Sequence, residues 1–479
     1  MVRFLSLAAA CCSALLIQAQ NYTDLQFNYD SLLNVNYGSA TNFNGASVDL
    51  HMDVFWPQCN EGQTAETRPL LLWIHGGAWL AGSKDDASIQ ALCRSFARRG
   101  YVTATIDYRL GFIADDALWQ CNFPEYNCVF AGESGEWHRS YFRAMQDAKG
   151  ALRYLVNRHE EFNIDTANVF VAGESAGAFV ALAVGLLDMQ SEKPLAAFAQ
   201  DPLPVSHPTM ADCSYNEGAV TNGMPIARPD LGSIDGNIEP TSINYTIKGI
   251  GNMYGGMFSN LLADIPPGKP KPAIYSFHQN CDIVVPIDSN RVYWGLSWCF
   301  TNGYNCFAIN NNQHMVYGSR TFSNWNTNNN HGYTIENQFT GPNFPFNFLF
   351  GEGSCLDQVD NPCHAYDNAG LRESQLASFF ANLVSTGAIC SDGSGVEPLN
   401  ASDRITVHPN PSSGVVNLKG IDNAAFTVVN TSGTTVCQGF GNTIDLSGLA
   451  DGVYIIAVQT ANQTVKRRVV LLGAHPSIP

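Results

Sequence analysis

Charge is scarce in this sequence. Asp, Glu, Lys and Arg make up 14% of its 479 residues, against about 25% in an average soluble chain. Cations are scarcer still: 25 Lys and Arg stand against 42 Asp and Glu, a net charge of −17. A chain of that sign cannot neutralise a phosphate backbone, so nucleic acid is excluded as a partner. No apolar run reaches the roughly 18 residues that a membrane span needs. No C-x-x-C or H-E-x-x-H spacing occurs, which removes the usual zinc arrangements. What is abundant is hydrophobic: 45% of the chain, enough to exclude disorder through low hydrophobicity over most of its length.

The first residues have the order of a secretory signal peptide, with Arg3, an apolar run from Phe4 to Ile17 and the small Ala19. A leader over residues 1–19 is expected, to be left out of fold reasoning. Of 14 cysteines, removal of Cys11 and Cys12 leaves an even number, which suits disulfides in an oxidising compartment. Cys121/Cys128, Cys299/Cys306 and Cys355/Cys363 are close enough in sequence for short disulfide loops, although spacing does not determine connectivity.

Strand-like and helix-like blocks then alternate, the signature of an α/β domain with a mainly parallel sheet. Leu70–Ile74, Tyr101–Ile106 and Val169–Ala172 are continuous apolar runs that read as buried strands, as does Ala273–Phe277. Ala87–Arg99 and Arg139–Arg158 have helical spacing, and a small-residue helix is expected to end near Leu187. Residues 188–271, rich in Pro, Gly and Met, interrupt the rhythm and are expected to form a cap over the site. A strand from Tyr333 to Phe339 and a helix from Glu373 to Val384 close this domain, which spans residues 20–390. A linker at 391–403 precedes a small all-β sandwich-like domain at 404–479, whose short alternating runs are separated by Gly, Asn, Asp and Ser turns.

The pentapeptide Gly173-Glu174-Ser175-Ala176-Gly177 has the form G-x-S-x-G and lies between a buried strand and a helix, the setting of a nucleophilic serine on a tight turn. Gly132-Glu133-Ser134-Gly135-Glu136 is a decoy. Its fifth residue is Glu136, it follows a Cys-bounded loop, and no helix is expected directly behind it. The second element is His75-Gly76-Gly77-Ala78 at a strand exit, where bare backbone can direct N–H groups at a developing oxyanion.

With Asp107-Tyr108-Arg109-Leu110-Gly111 and Arg143-Ala144-Met145-Gln146-Asp147, these segments resemble the esterase/lipase branch of the α/β-hydrolase superfamily, notably the hormone-sensitive-lipase and type-B carboxylesterase groups. The resemblance implies an α/β-hydrolase fold and oxyanion donors at Gly77, Ala78 and Ala176. That fold orders its triad Ser, Asp or Glu, His. His278-Gln279-Asn280-Cys281-Asp282, running on to Val285-Pro286, resembles the family's segment of the form H-G-x-x-D-x-x-V-P and implies Asp282 as the acid, with Asp288 and Asp264 as alternatives. Two histidines compete as the base. His364 falls between the last strand and the closing helix, where the base belongs, and His331 falls at the strand's entrance. His278, His207 and His314 read as structural or surface residues. The chemistry calls for no metal and no cofactor.

The tail resembles the C-terminal sorting domain of type IX secretion substrates. The resemblance rests on Val407-His408-Pro409-Asn410-Pro411, Ile444-Asp445-Leu446-Ser447-Gly448-Leu449, Gly452-Val453-Tyr454 and Lys466-Arg467-Arg468. It implies the type IX export machinery as a partner and a secreted or cell-surface location. The expected function is ester hydrolysis through Ser175, His364 and Asp282. A serine peptidase of the same fold and a non-catalytic surface binding protein on a hydrolase scaffold are the alternatives.

Overall fold

The computed structural model describes residues 22–113, 134–204, 225–262, 271–282, 284–292, 314–341, 363–364, 367–385, 387, 389–392, 405–421, 423–459 and 464–472. The leader, His207, Asp264 and the pairs Cys121/Cys128 and Cys299/Cys306 lie outside them. The chain divides into two compact units, Met1–Asp392 and Gly393–Pro479.

The larger unit is built on eight strands: β1 Asn28–Thr41, β2 Ser47–Gln58, β3 Arg68–Ile74, β4 Val102–Ile106, β5 Ile164–Glu174, β6 Ile247–Met253, β7 Ala273–Gln279 and β8 Ile335–Thr340. Their order across the sheet is β1-β2-β4-β3-β5-β6-β7-β8. The first two strands run antiparallel to their neighbours and the rest are parallel. This is the α/β-hydrolase architecture that the resemblance implied.

The central strands read as unbroken apolar runs because both faces are covered. Leu70, Leu72 and Ile74 of β3 join one core cluster, while the intervening Leu71 and Trp73 join the other. Helices α2 (Ser134–Asn157) and α3 (Ala176–Leu186) contribute to the first cluster, and α1 (Ala87–Ala97) and α5 (Ala369–Ala381) to the second. A fifth helix, α4 (Ser319–Asn328), lies between β7 and β8 in sequence. Helix α1 is capped by Asp86, whose carboxylate accepts from the amides of Ser88 and Ile89, a bond set typical of an N-cap.

Two expectations need correction. Helix α2 begins at Ser134, so a helix does follow the decoy serine. The block at 188–271 is not all cap, because β6 runs through it between β5 and β7. Its sequence IKGIGNM lacks a long apolar run because Gly249 and Gly251 lie against the side chains of Phe170 and Ala172, where a β-carbon would crowd them.

The two sequence blocks around Arg109 and Asp147 are joined here. Arg109 donates through its backbone N–H, Nε and Nη2 to the buried Asp147 carboxylate at 2.7–3.0 Å. Arg143 Nη2 donates to Gly111 O at 2.7 Å. These bonds tie the loop after β4 to α2. Farther along, a Cys59–Cys390 disulfide links residues 331 positions apart.

The smaller unit contains a three-stranded sheet of β9 (Thr406–His408), β10 (Val415–Lys419) and β13 (Thr443–Asp445). A four-stranded sheet is formed by β11 (Ala424–Asn430), β12 (Thr435–Gly441), β14 (Gly452–Gln459) and β15 (Thr464–Leu471). Val407, Val416 and Ile444 of one sheet share a core with Val428, Ile456 and Val469 of the other, as in a small sandwich.

Candidate active site

Ser175 sits at the sharp turn between β5 and α3, with φ 51° and ψ −123°. The turn is this tight because its glycines admit close approach: a β-carbon on Gly177 would lie 2.1 Å from the carbonyl oxygen of Ile74. Ser175 N donates to Met253 O at the end of β6 at 2.9 Å, which fixes the turn against the sheet. As the first residue of α3, Ala176 has an N–H with no acceptor inside the helix.

The loop after β3 faces the same turn. An added Gly76 β-carbon would be 3.2 Å from Ser175 Cβ. Tyr108 Oη donates to the carbonyls of His75 and Gly76 at 3.0 and 3.1 Å. In a trans peptide the N–H opposes the C=O, so the Gly77 amide is directed away from Tyr108. Gly77 O accepts from Leu80 and Ala81 at 2.9 and 3.0 Å, which likewise turns the Ala78 amide away from that tight bend. Gly77 has φ 104°, with Ala78 and Trp79 at 55° and 58°. Non-glycine residues in this region cost about 1–3 kcal/mol each and cluster at functional sites. Tyr254 and Cys363, also at positive φ, belong to the same neighbourhood.

His364 Nε2 lies 2.8 Å from Ser175 Oγ, and His364 Nδ1 lies 2.8 Å from Asp282 Oδ2. The three side chains thus meet, although the chain separates Ser175 from His364 by 189 positions. The Asp282 side chain is fully buried. Burial pushes its carboxyl up, but the neighbouring His364, then hydrogen bonds from His278 and His364, outweigh it and hold the group below the usual carboxylate range.

The expected Cys355/Cys363 loop does not form, since Cys363 is bonded to Cys281. One half-cystine immediately precedes Asp282 and the other immediately precedes His364. Proximity in sequence was misleading because the partners come from different loops of one site.

The alternatives are engaged elsewhere. Asp288 pairs with Arg320 at 2.7 Å. His331 stacks on Trp325 with ring centroids 3.8 Å apart, and His314 stacks on His138 at 3.5 Å.

Tyr254 also borders the site. Its hydroxyl donates to the Glu174 carboxylate at 2.5 Å, and its ring meets the His364 ring edge-to-face at 4.7 Å. Burial pushes the Glu174 carboxyl up. Beside Ser175 lies a small apolar cavity bounded by Ala78, Trp79, Trp137, Ala176, Phe179, Val284, Val285 and Val292. Met257 and Phe258 pack in the core, with Phe258 5.5 Å from Phe179 between ring centroids. Among the described residues, no group of three or more His, Cys, Asp and Glu is arranged to hold a metal.

The BD-FAE family profile, that of an esterase-like α/β-hydrolase domain, matches residues 52–122 and 136–208. The larger unit has the α/β-hydrolase fold, and over these segments it matches an esterase-like profile. A secretion system C-terminal sorting domain matches residues 406–472. It indicates type IX secretion-dependent export and a surface or extracellular destination.

Gut esterase 1 of Caenorhabditis elegans is 31% identical to this chain over 114 residues, 24% of this chain and 17% of that one. Carboxylesterase 5A of Homo sapiens is 29% identical over 135 residues, 28% of this chain and 20% of that one. The matches therefore span about a fifth of these relatives' length. Among solved structures, propionate-bound esterase 2 of Thermogutta terrifontis is 17% identical, covering 74% of this chain and 97% of that one, with TM-score 0.37.

The buried His75, which opens the loop after β3, gives a testable pH dependence. Burial pushes its imidazole down to about 4, and His75 Nε2 has no hydrogen-bond partner among the described residues. The unfolded chain takes up a proton there near pH 6.5, which the folded chain refuses until about pH 4. The His75 contribution is therefore intact above about pH 6.5 and is lost as pH falls through the folded value, by about 3 kcal/mol at the limit. Urea midpoints at pH 7 and pH 4.5 should differ, and His75→Gln should narrow the difference.

Proposed function

We propose that this protein is a secreted serine carboxylic-ester hydrolase working through Ser175, His364 and Asp282. The observation that carries the reading is His364, with one ring nitrogen 2.8 Å from Ser175 Oγ and the other 2.8 Å from Asp282 Oδ2. In the first step His364 Nε2 takes the Ser175 proton as Oγ attacks the ester carbonyl, giving a tetrahedral oxyanion. The amides of Gly77, Ala78 and Ala176 donate to that oxyanion. His364 then passes the proton to the leaving alcohol, and the acyl group remains on Ser175. Water attacks the acyl-enzyme with His364 again as base, releasing the acid and restoring Ser175. Asp282 holds the His364 tautomer and stabilises the imidazolium throughout. The leader at residues 1–19 would bring the chain to the periplasm, from which the sorting domain directs it outward.

The cavity beside Ser175, closed by Trp79, Trp137 and Phe179, favours a short acyl group. The test is a series of p-nitrophenyl esters from acetate to octanoate, alongside a peptide p-nitroanilide. Each methylene in an apolar pocket is worth about tenfold or more in discrimination, so kcat/KM should be highest at acetate or propionate. It should fall at least about tenfold by octanoate, and Phe179→Ala should move the maximum to longer chains. Turnover of the anilide in preference to every ester would replace the esterase reading with a peptidase.

A further inference from the structure

We propose that His278 is a positioning residue for the reaction: a second histidine that locks the Asp282 carboxylate and completes a buried chain running Asn252, Ser319, His278, Asp282, His364, Ser175. The inference rests on the esterase reading above and deepens it.

The direction of each bond can be worked out from the partners at each end. Asn252 Oδ1 accepts from Gly255 N at 3.1 Å, which sets the amide's orientation. Its Nδ2 then donates to Ser319 Oγ and Ser276 Oγ, both at 3.1 Å. His278 Nε2 faces the Val285 carbonyl and the Asp282 carboxylate, so the ring proton sits there, and Nδ1 accepts the hydrogen of Ser319 Oγ, 2.8 Å away. That Nε2–H faces two acceptors, Val285 O at 3.0 Å and Asp282 Oδ2 at 3.3 Å.

Asp282 is thereby held on both oxygens. Oδ1 accepts from the amides of Val284 and Val285 at 2.9 Å each. Oδ2 pairs with His364 Nδ1 at 2.8 Å and lies 3.3 Å from His278 Nε2, which also bonds Val285 O at 3.0 Å. The His278 and Asp282 side chains are both fully buried, so no solvent competes for these bonds. Rotation of this carboxylate would break the two amide bonds at Oδ1 and part Oδ2 from both imidazoles. The oxygen aimed at His364 is therefore fixed before substrate arrives. The other charged groups around this chain are Glu174 under the Tyr254 hydroxyl, Arg372, which lies 3.9 Å from the Phe277 ring and pairs with Asp367, and the Arg320–Asp288 pair next to Ser319.

The test compares His278→Leu, His278→Gln and Ser319→Ala with the wild type on p-nitrophenyl acetate, with active sites titrated by an organophosphate so that rates refer to folded enzyme. Losing one bond to a buried charge should lower kcat of His278→Leu by about tenfold to a hundredfold with KM within about twofold. The acid limb of kcat/KM should move to higher pH, because a carboxylate with one donor fewer holds the His364 proton more tightly. His278→Gln, whose amide nitrogen can stand where Nε2 does, should recover most of kcat. Ser319→Ala should move both readouts in the same direction by less, and it serves as the test if His278→Leu does not fold. Unchanged kcat per titrated site and an unchanged acid limb in the folded variants would overturn the inference alone. A wild-type chain without ester turnover would overturn the esterase reading itself, and this inference with it.

Discussion

Replacing Ser175 with Ala is expected to lower kcat/KM on p-nitrophenyl acetate by about 10⁴-fold or more while leaving the urea midpoint nearly unchanged. The loss is large because the hydroxyl is the only atom that joins the acyl group in the proposed reaction. Stability should hold because alanine keeps the same backbone path. The positive φ at position 175 is imposed by the β5–α3 turn and by the Ser175 N–H bond to Met253 O, neither of which uses the side chain. His364→Ala should be nearly as damaging. The double variant Ser175→Ala/His364→Ala should be no worse than either single one, because groups that act as a unit are not additive. Losses that multiplied instead would mean that Ser175 and His364 act in separate steps.

Opening the Cys281–Cys363 disulfide is expected to lower kcat by about tenfold to a hundredfold, the scale on which an ångström of misplacement acts. The bond joins the residue before Asp282 to the residue before His364, with their Cα atoms 5.5 Å apart. It therefore sets the separation of Asp282 and His364 directly. The second disulfide is the control. Cys59–Cys390 closes a loop of 331 residues away from these groups, so its removal should cost about 2–5 kcal/mol of stability with kcat per folded molecule unchanged. Paired Cys→Ala variants assayed for turnover and for urea midpoint separate the two effects. Equal losses of kcat on opening either bridge would mean that the first one only stabilises.

How far the site could be read from residues alone followed the range of the interactions involved. Ser175 was legible because its requirements are local: a buried strand, small neighbours and a helix within five residues. Asp282 was placed by the resemblance of its segment to the family's H-G-x-x-D-x-x-V-P form, and His364 by its position between β8 and α5. Strand β6 was missed because its glycines are needed by Phe170 and Ala172 of the neighbouring strand, a demand that comes from packing and leaves no periodicity. Tyr254 and His278 had no legible role for a related reason. Each acts through another side chain, Glu174 or Asp282, and a lone aromatic or histidine carries no spacing signal. The Cys281–Cys363 bridge was open to view in one respect, since a cysteine directly precedes each of the two residues, but nearness along the chain pointed to Cys355 instead.

The central claim is that Ser175 is the nucleophile, activated by His364. Treating the full chain with an organophosphate ester and mapping the adduct by mass spectrometry tests it directly. One phosphoryl group per chain on the peptide containing Ser175, formed in step with loss of ester turnover and greatly slowed in His364→Ala, is the predicted result. Complete inactivation with the adduct on any other residue, or undiminished turnover with Ser175 fully modified, would contradict it.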